Sequence, residues 1–316
     1  MTPPASSPVP PAGAPTFGSV FGFVAGGEGA LVLDGGLSNQ LADQGCDLSD
    51  ALWSARLLAD APEQIEAAHA AYLRAGARVL ITASYQATYE GFARRGVGRA
   101  EATGLLRRSV ELARQAAAAR PGARVAASVG PYGAMLADGS EYRGRYGRTV
   151  RELAAFHRPR IEALAEAEPD VLALETVPDI DEAEAMLRAV GSTDVPVWLS
   201  YTIEGDRTRA GQSLSEAFAL AADNPQVIAV GVNCCAPADA GHAVEVAAAV
   251  SGKPVVVYPN SGEQWDAGGR RWYGGAAFDP AEVGRWRESG ARLIGGCCRV
   301  GPAQIAGIAA ALGTGG

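Results

Sequence analysis

The stretch "VIAVGVNCC", residues 227–235, is a nearly continuous apolar run that ends abruptly in an asparagine and two cysteines. It does not alternate apolar with polar residues, as a strand with one wet face would. A strand buried on both faces reads this way, and such strands belong to parallel sheets covered by helices. Seven further runs share the character: "ALVLDGG" (30–36), "RVLITASY" (78–85), "RVAASVGPY" (124–132), "VLALETVP" (171–178), "VWLSYTI" (197–203), "PVVVYPN" (254–260) and "RLIGGCC" (292–298). Helical patterns such as "EATGLLRRSVELARQAAAA" and "DEAEAMLRAV" lie between most of them. Eight β/α units over roughly 290 residues predict an α/β protein with a single-domain (β/α)8 TIM barrel. A doubly wound open sheet is the alternative, but "LDGGLSNQ" lacks the G-x-G-x-x-G phosphate turn expected after its first strand.

The ends of the runs support the barrel independently. Asp34, Ser84 to Gln86, Glu175, Asn233 with Cys234, Tyr258 to Asn260, and Cys297 with Cys298 all stand at carboxyl ends. In a barrel those ends meet on one face, where active sites sit. The plainer reading is that strands become polar where they reach solvent, yet cysteine and glycine are unusual choices for that.

The chain has 316 residues, 48% of them hydrophobic, and a net charge of −8. That is enough for a large core and offers no basic footprint for nucleic acid. No apolar stretch is long enough to span a membrane. The first residues, "MTPPASSPVPPAGAPTFGSV", lack a basic n-region, so residues 1–24 read as a disordered Pro/Ala-rich tail and 25–316 as the barrel. Five cysteines in a chain without an export signal predict free thiols in a reducing, cytoplasmic setting.

In a regular strand, adjacent side chains point to opposite faces. Cys297 and Cys298 can therefore face one object only where the strand ends and turns, and Gly295 and Gly296 permit that turn and a close backbone approach. "GVNCC" supplies a third thiol. Three sulfurs with one open position suit a catalytic zinc site. Residue types alone leave a redox pair or inert thiols open as well. Such a zinc is a weak activator of water but lowers the pKa of an incoming thiol, which points to alkyl transfer onto a thiol rather than to hydrolysis. Cys46 and Cys235 read as structural, and His69, His157 and His242 as helix or surface residues.

Together, "LVLDGGLSNQL", "ITASYQAT", "LALETVPDIDEAEAML", "GVNCC", "YPNSGEQWD" and "LIGGCCRVGPAQI" resemble the homocysteine S-methyltransferase family, from about residue 30 to about residue 312. The resemblance implies a zinc-binding barrel that transfers a methyl group to L-homocysteine, giving L-methionine. Carried over by position, it places the metal on Cys234, Cys297 and Cys298. It places Asp34 and Glu175 on the substrate's amino group. Gln86, beside Tyr85, falls where betaine-using relatives carry an aromatic residue able to complete the zinc shell, so the resting fourth ligand stays open. Trp53 matches a position lining the substrate site, and Gln86 and Asn233, which adjoins a ligand, are further candidates for substrate binding. Asn260, Glu263 and Trp265 are candidates for the donor pocket. "YPNSGEQWD" resembles the branch using S-methylmethionine, with S-adenosylmethionine as a poorer donor; betaine as donor and selenocysteine as acceptor are alternatives. A vicinal-thiol redox sensor is the non-enzymatic alternative. The expected partners are small molecules, with no nucleic acid and no membrane; monomer and dimer are both open.

Overall fold

Each apolar run forms a strand in the computed structural model, which describes residues 29–49, 52–266 and 271–314. The expected tail, residues 1–24, lies outside them. In chain order the barrel strands are β1 (Leu31–Val32), β2 (Val79–Ile81), β3 (Arg124–Val129), β4 (Val171–Val177), β5 (Val197–Tyr201), β6 (Val227–Asn233), β7 (Val255–Tyr258) and β8 (Ala291–Ile294). All pair in parallel. The hydrogen-bonded order is β1-β8-β7-β6-β5-β4-β3-β2. The gap between β1 and β2 is spanned by a parallel bridge, Leu33 to Val79. There Arg78 N donates to Val32 O at 2.7 Å and Asp34 N to Val79 O at 3.0 Å. The ring of strands thus closes.

Helices return the chain between strands. Val150–Ala165 is opened by a capping box, in which the Thr149 side chain takes the Glu152 N–H and Glu152 reaches back. Two apolar layers result. One packs the outer strand faces against the helices, with Leu80, Val125, Leu172, Leu174, Val230 and Val257 among its members. The other fills the barrel: Leu33, Val79, Ala126, Val171, Ala173, Trp198, Ala229, Val256, Tyr258 and Leu293. The small alanines leave room for the Trp198 indole, which is fully buried.

The period of two along each strand now decides what stands above this plug. Val171 and Ala173 face inward, so Glu175 does too. By the same count Trp198 is followed by Ser200, Ala126 by Ser128, and Ala229 by Gly231 and Asn233. The interior therefore changes from apolar to polar toward the carboxyl ends. Among the described residues no helix is long and apolar enough to cross a membrane.

Candidate active site

At the carboxyl mouth the sulfurs of Cys234, Cys297 and Cys298 lie within 4.8 Å of one another. Three backbone devices bring them together. Cys234 follows the last residue of β6 and takes a left-handed conformation, φ 49°, which turns its side chain off the strand's alternation. Cys297 N donates to Pro259 O at 2.8 Å, and Cys298 N to Asn260 Oδ1 at 3.1 Å. The end of β7 thus sets both cysteines of the β8 loop. The glycines before them have negative φ; what they allow is close approach. A Cβ on Gly296 would lie 2.1 Å from Val300 Cγ1, and one on Gly36 would lie 2.6 Å from Cys297 O.

The sequence predicts five free thiols. In the structure Cys234 and Cys297 form a disulfide, their Cα atoms 5.5 Å apart, while Cys46, Cys235 and Cys298 are free. The bond does not join the vicinal pair. It joins residues 63 apart in the chain, because sulfurs aimed at one point are within bonding reach of each other. Reduced, the same three are a soft donor set that fits zinc, with every donor a thiol. Burial pushes the Cys298 thiol up to about 11, so a bound cation is needed to hold it as thiolate at neutral pH. Cys235 is fully buried and its thiol is pushed up to about 12 by burial, consistent with a packing role.

Beside the sulfurs are two buried carboxylates. Asp34 is 1% exposed; its Oδ2 accepts from Ile81 N at 2.8 Å, and its Oδ1 has no partner. Burial raises its pKa well above the usual carboxylate range, and the charge of Glu175 adds to this. Glu175 accepts from Tyr258 OH at 3.0 Å and from Ser128 Oγ. Burial raises Glu175 to about 7 against those two hydrogen bonds. Two mutually repelling buried carboxylates, one with an orphaned oxygen, make a site that a cation with N–H donors would satisfy.

Other residues singled out from sequence are positioned differently. Asn233 is fully buried, and its amide makes three hydrogen bonds. Its Oδ1 takes Thr176 N at 2.7 Å and Ser200 Oγ at 2.8 Å, while its Nδ2 donates to Thr176 Oγ1 at 2.7 Å. Thr176, φ 58°, is the strained neighbour of Glu175. Asn233 therefore fixes the Glu175 backbone rather than facing open space. Gln86 is 4% exposed and donates to Ala134 O at 3.2 Å. Asn260 orients Cys298 through the bond already given. Glu263 bonds Arg299 twice at 3.1 Å and Ser261 at 2.9 Å, so its charge is neutralised. Trp53 opens the short helix Trp53–Arg56 and Trp265 lies in the strand Gln264–Asp266; their side chains are outside what the structure describes.

Sequence reasoning missed the Tyr142 hydroxyl, which is within hydrogen-bonding reach of Cys298. It also missed a buried cluster behind the loop that carries Tyr142. There Glu182 accepts from Tyr132 N at 2.6 Å and meets His157 Nε2 at 2.9 Å. Arg160 bonds Gly130 O and lies 2.6 Å from His157 Nδ1. The "DEAEAML" pattern contains Glu182 but gives no local sign that it is buried.

The sequence matches the family described as Homocysteine S-methyltransferase over residues 31–312. Homocysteine S-methyltransferase 4 of Zea mays is 46% identical over 317 residues, covering 93% of this chain and 93% of the relative. The Escherichia coli K12 homocysteine S-methyltransferase is 46% identical over 294 residues, covering 89% and 94%. The crystal structure of the homocysteine methyltransferase MmuM from Escherichia coli, in its metallated form, is 43% identical. It superposes with a TM-score of 0.83 over 92% of this chain and 99% of that one. Its oxidized form matches equally well. With the profile spanning nearly the whole barrel and relatives this similar along their full length, the chain belongs to the homocysteine S-methyltransferase family.

Proposed function

We propose that this protein transfers a methyl group from S-methylmethionine, with S-adenosylmethionine as a poorer donor, to L-homocysteine, yielding L-methionine. One observation carries the reading within the family: three converging cysteine sulfurs stand beside two buried carboxylates, one with an unpartnered oxygen. Cys234, Cys297 and Cys298 would hold Zn²⁺, and when bound it would keep the acceptor's sulfur as thiolate near neutral pH.

Asp34 and Glu175 receive the acceptor's ammonium. The ammonium gives Asp34 Oδ1 the donor it lacks and relieves the repulsion between the two carboxylates, so Glu175 becomes the stronger acid as substrate arrives. Ser128 and Tyr258 keep Glu175 aimed inward. Asn233 holds the backbone at Thr176, and Asn260 holds that at Cys298. The thiol proton departs to solvent. The acceptor sulfur's electron pair then forms the new bond to the methyl carbon, while the old carbon–sulfur bond breaks and leaves its pair on the donor. These residues contribute positioning and a water-poor mouth, which bring the reacting atoms together. The thiols must be reduced for this chemistry, which fits the cytoplasm.

A second reading has its own observation. The Cys234–Cys297 disulfide uses two of the three candidate ligands, as a thiol-based redox device would. The deciding experiment is an assay of reduced, zinc-loaded protein with homocysteine or selenocysteine and each donor in turn: S-methylmethionine, S-adenosylmethionine and betaine. Methionine formed fastest from S-methylmethionine supports the proposal. Full metal loading with no methyl transfer from any donor overturns it.

A further inference from the structure

The loop between β3 and the helix Val150–Ala165 carries a charge that neither the sulfurs nor the ammonium pair uses. Ser140–Tyr142 make a single 3-10 turn there. Glu141 is 8% exposed, and its Oε2 is buried with no hydrogen-bond partner. Main-chain packing fixes the turn, since a Cβ on Gly133 would lie 2.4 Å from Glu141 N. The turn lies against the site. The Tyr142 hydroxyl reaches Cys298, and the Glu141 charge is felt at Cys298, Tyr142 and Tyr85. Arg209 lies 5.7 Å from the Tyr142 ring, but Glu204 already pairs with it at 3.2 Å. A buried carboxylate oxygen without a donor is costly unless a cation comes to it.

The chemistry of that cation follows from what is missing. A sulfonium carries a full positive charge but no N–H or O–H on the charged atom. It is held by an anion and by aromatic faces, not by hydrogen bonds. Glu263, the acidic residue that the sequence offers for this task, is bound to Arg299. Glu141 is a buried acid, next in the chain to the tyrosine that reaches Cys298, and it keeps an unpartnered oxygen.

We infer that Glu141, with the ring of Tyr142 beside it, recognises the positive charge of the methyl donor. The inference rests on the proposed function and narrows it: the donor is selected as a cation. It also accounts for release. When the methyl leaves, the electron pair of the broken carbon–sulfur bond stays on the donor sulfur. The donor becomes a neutral thioether and its attraction to Glu141 disappears. Product and donor then differ in affinity through one side chain.

The test compares S-methylmethionine with methionine, its neutral counterpart, as ligands of reduced, zinc-loaded protein by titration calorimetry. Wild type should bind the cation at least about tenfold more tightly. Glu141→Gln should lose roughly that factor for S-methylmethionine, with methionine affinity, homocysteine affinity and metal content within about twofold of wild type. The donor KM should rise more than kcat falls. Tyr142→Leu keeps the carboxylate and should weaken the cation about three- to tenfold, whereas Tyr142→Phe, which keeps the ring and removes only the hydroxyl that reaches Cys298, should keep the preference for the cation; the pair keeps the test decisive if the Glu141 variant folds poorly. An unchanged preference for the cation in both Glu141→Gln and Tyr142→Leu overturns the inference. So does equal loss of homocysteine affinity in Glu141→Gln, which would place Glu141 in the ammonium site. A wild type that prefers the cation yet makes no methionine from any donor would sink the functional reading and leave this one standing.

Discussion

Replacing Asn233 by alanine isolates the polar girder under the active site. The side chain is fully buried and makes three hydrogen bonds of 2.7–2.8 Å, two to Thr176 and one to Ser200. Ser200 keeps a second partner, the Tyr258 hydroxyl at 2.8 Å. The Thr176 backbone N–H loses its partner, while its hydroxyl keeps the Tyr85 side chain. The buried N–H left unsatisfied costs about 1–3 kcal/mol, and the weakened Thr176 and Ser200 hydroxyls contribute less, for a total of roughly 2–4 kcal/mol. The left-handed residues Thr176 and Cys234, φ 58° and 49°, then lose the brace between them and can relax. At about 2 °C per kcal/mol for a barrel of this size, the melting temperature should fall by roughly 4–8 °C. Thermal unfolding of the reduced, metal-free protein, followed by far-ultraviolet circular dichroism, measures this without any contribution from ligand. Asn233→Asp at acid pH, where a protonated carboxyl restores both donor and acceptor, should recover part of the loss. A fall of less than about 2 °C for the alanine variant would refute the idea that this amide holds the Glu175 segment in place.

Other perturbations separate the remaining roles. Cys298→Ala should reduce bound zinc from about one per chain to a small fraction of that, measured by atomic emission after dialysis; undiminished zinc would remove Cys298 from the ligand set. Oxidised protein unfolded in denaturant should titrate three thiols, Cys46, Cys235 and Cys298, and reductant should raise the count to five while restoring metal uptake. Glu175→Gln should act in opposite directions on stability and binding. At pH 8 it removes a carboxylate that burial disfavours and raises the melting temperature, yet the homocysteine KM should rise roughly 30-fold, equivalent to about 2 kcal/mol; a fall in both would contradict the assignment. Glu182 supplies a pH test away from the metal. Its folded-state pKa, raised by burial to about 7, exceeds its unfolded value near 4.5. The folded state therefore holds the proton more tightly, and stability declines as pH rises from about 4.5 to about 7, with no further loss above. Glu182→Gln should reduce that slope in urea-unfolding midpoints by its own share, Glu175 and Asp34 keeping theirs, and an unaltered slope would exclude Glu182 as a source.

The barrel was legible because its strands are buried on both faces. That condition leaves eight apolar runs in the linear sequence, and each run forms a strand. Polar residues at the ends of the runs marked the mouth where the three sulfurs converge, for the same local reason. The three cysteines were legible by chemistry and by resemblance, and their sulfurs do converge. The uses of single side chains were harder to read. Glu263 looked available from its motif but is taken by Arg299, 36 residues away in the chain. Asn233 looked like a substrate contact but serves Thr176, 57 residues away. Glu141 drew no notice, because "DGSEYRG" reads as an ordinary polar loop.

Sequence by itself determined the strand count, the order of the β/α units, the family and the three cysteines whose sulfurs converge. These depend on composition and period, which are local properties of a chain. Tertiary structure alone decided that β1 meets β2 through Leu33 and Val79, that Cys234 pairs with Cys297, that Asp34 and Glu141 each keep a buried oxygen without a partner and that the Tyr142 hydroxyl reaches Cys298. Each of these depends on which distant segments come into contact once the barrel closes. A side chain's charge state and freedom are set by those neighbours, and no local pattern records them.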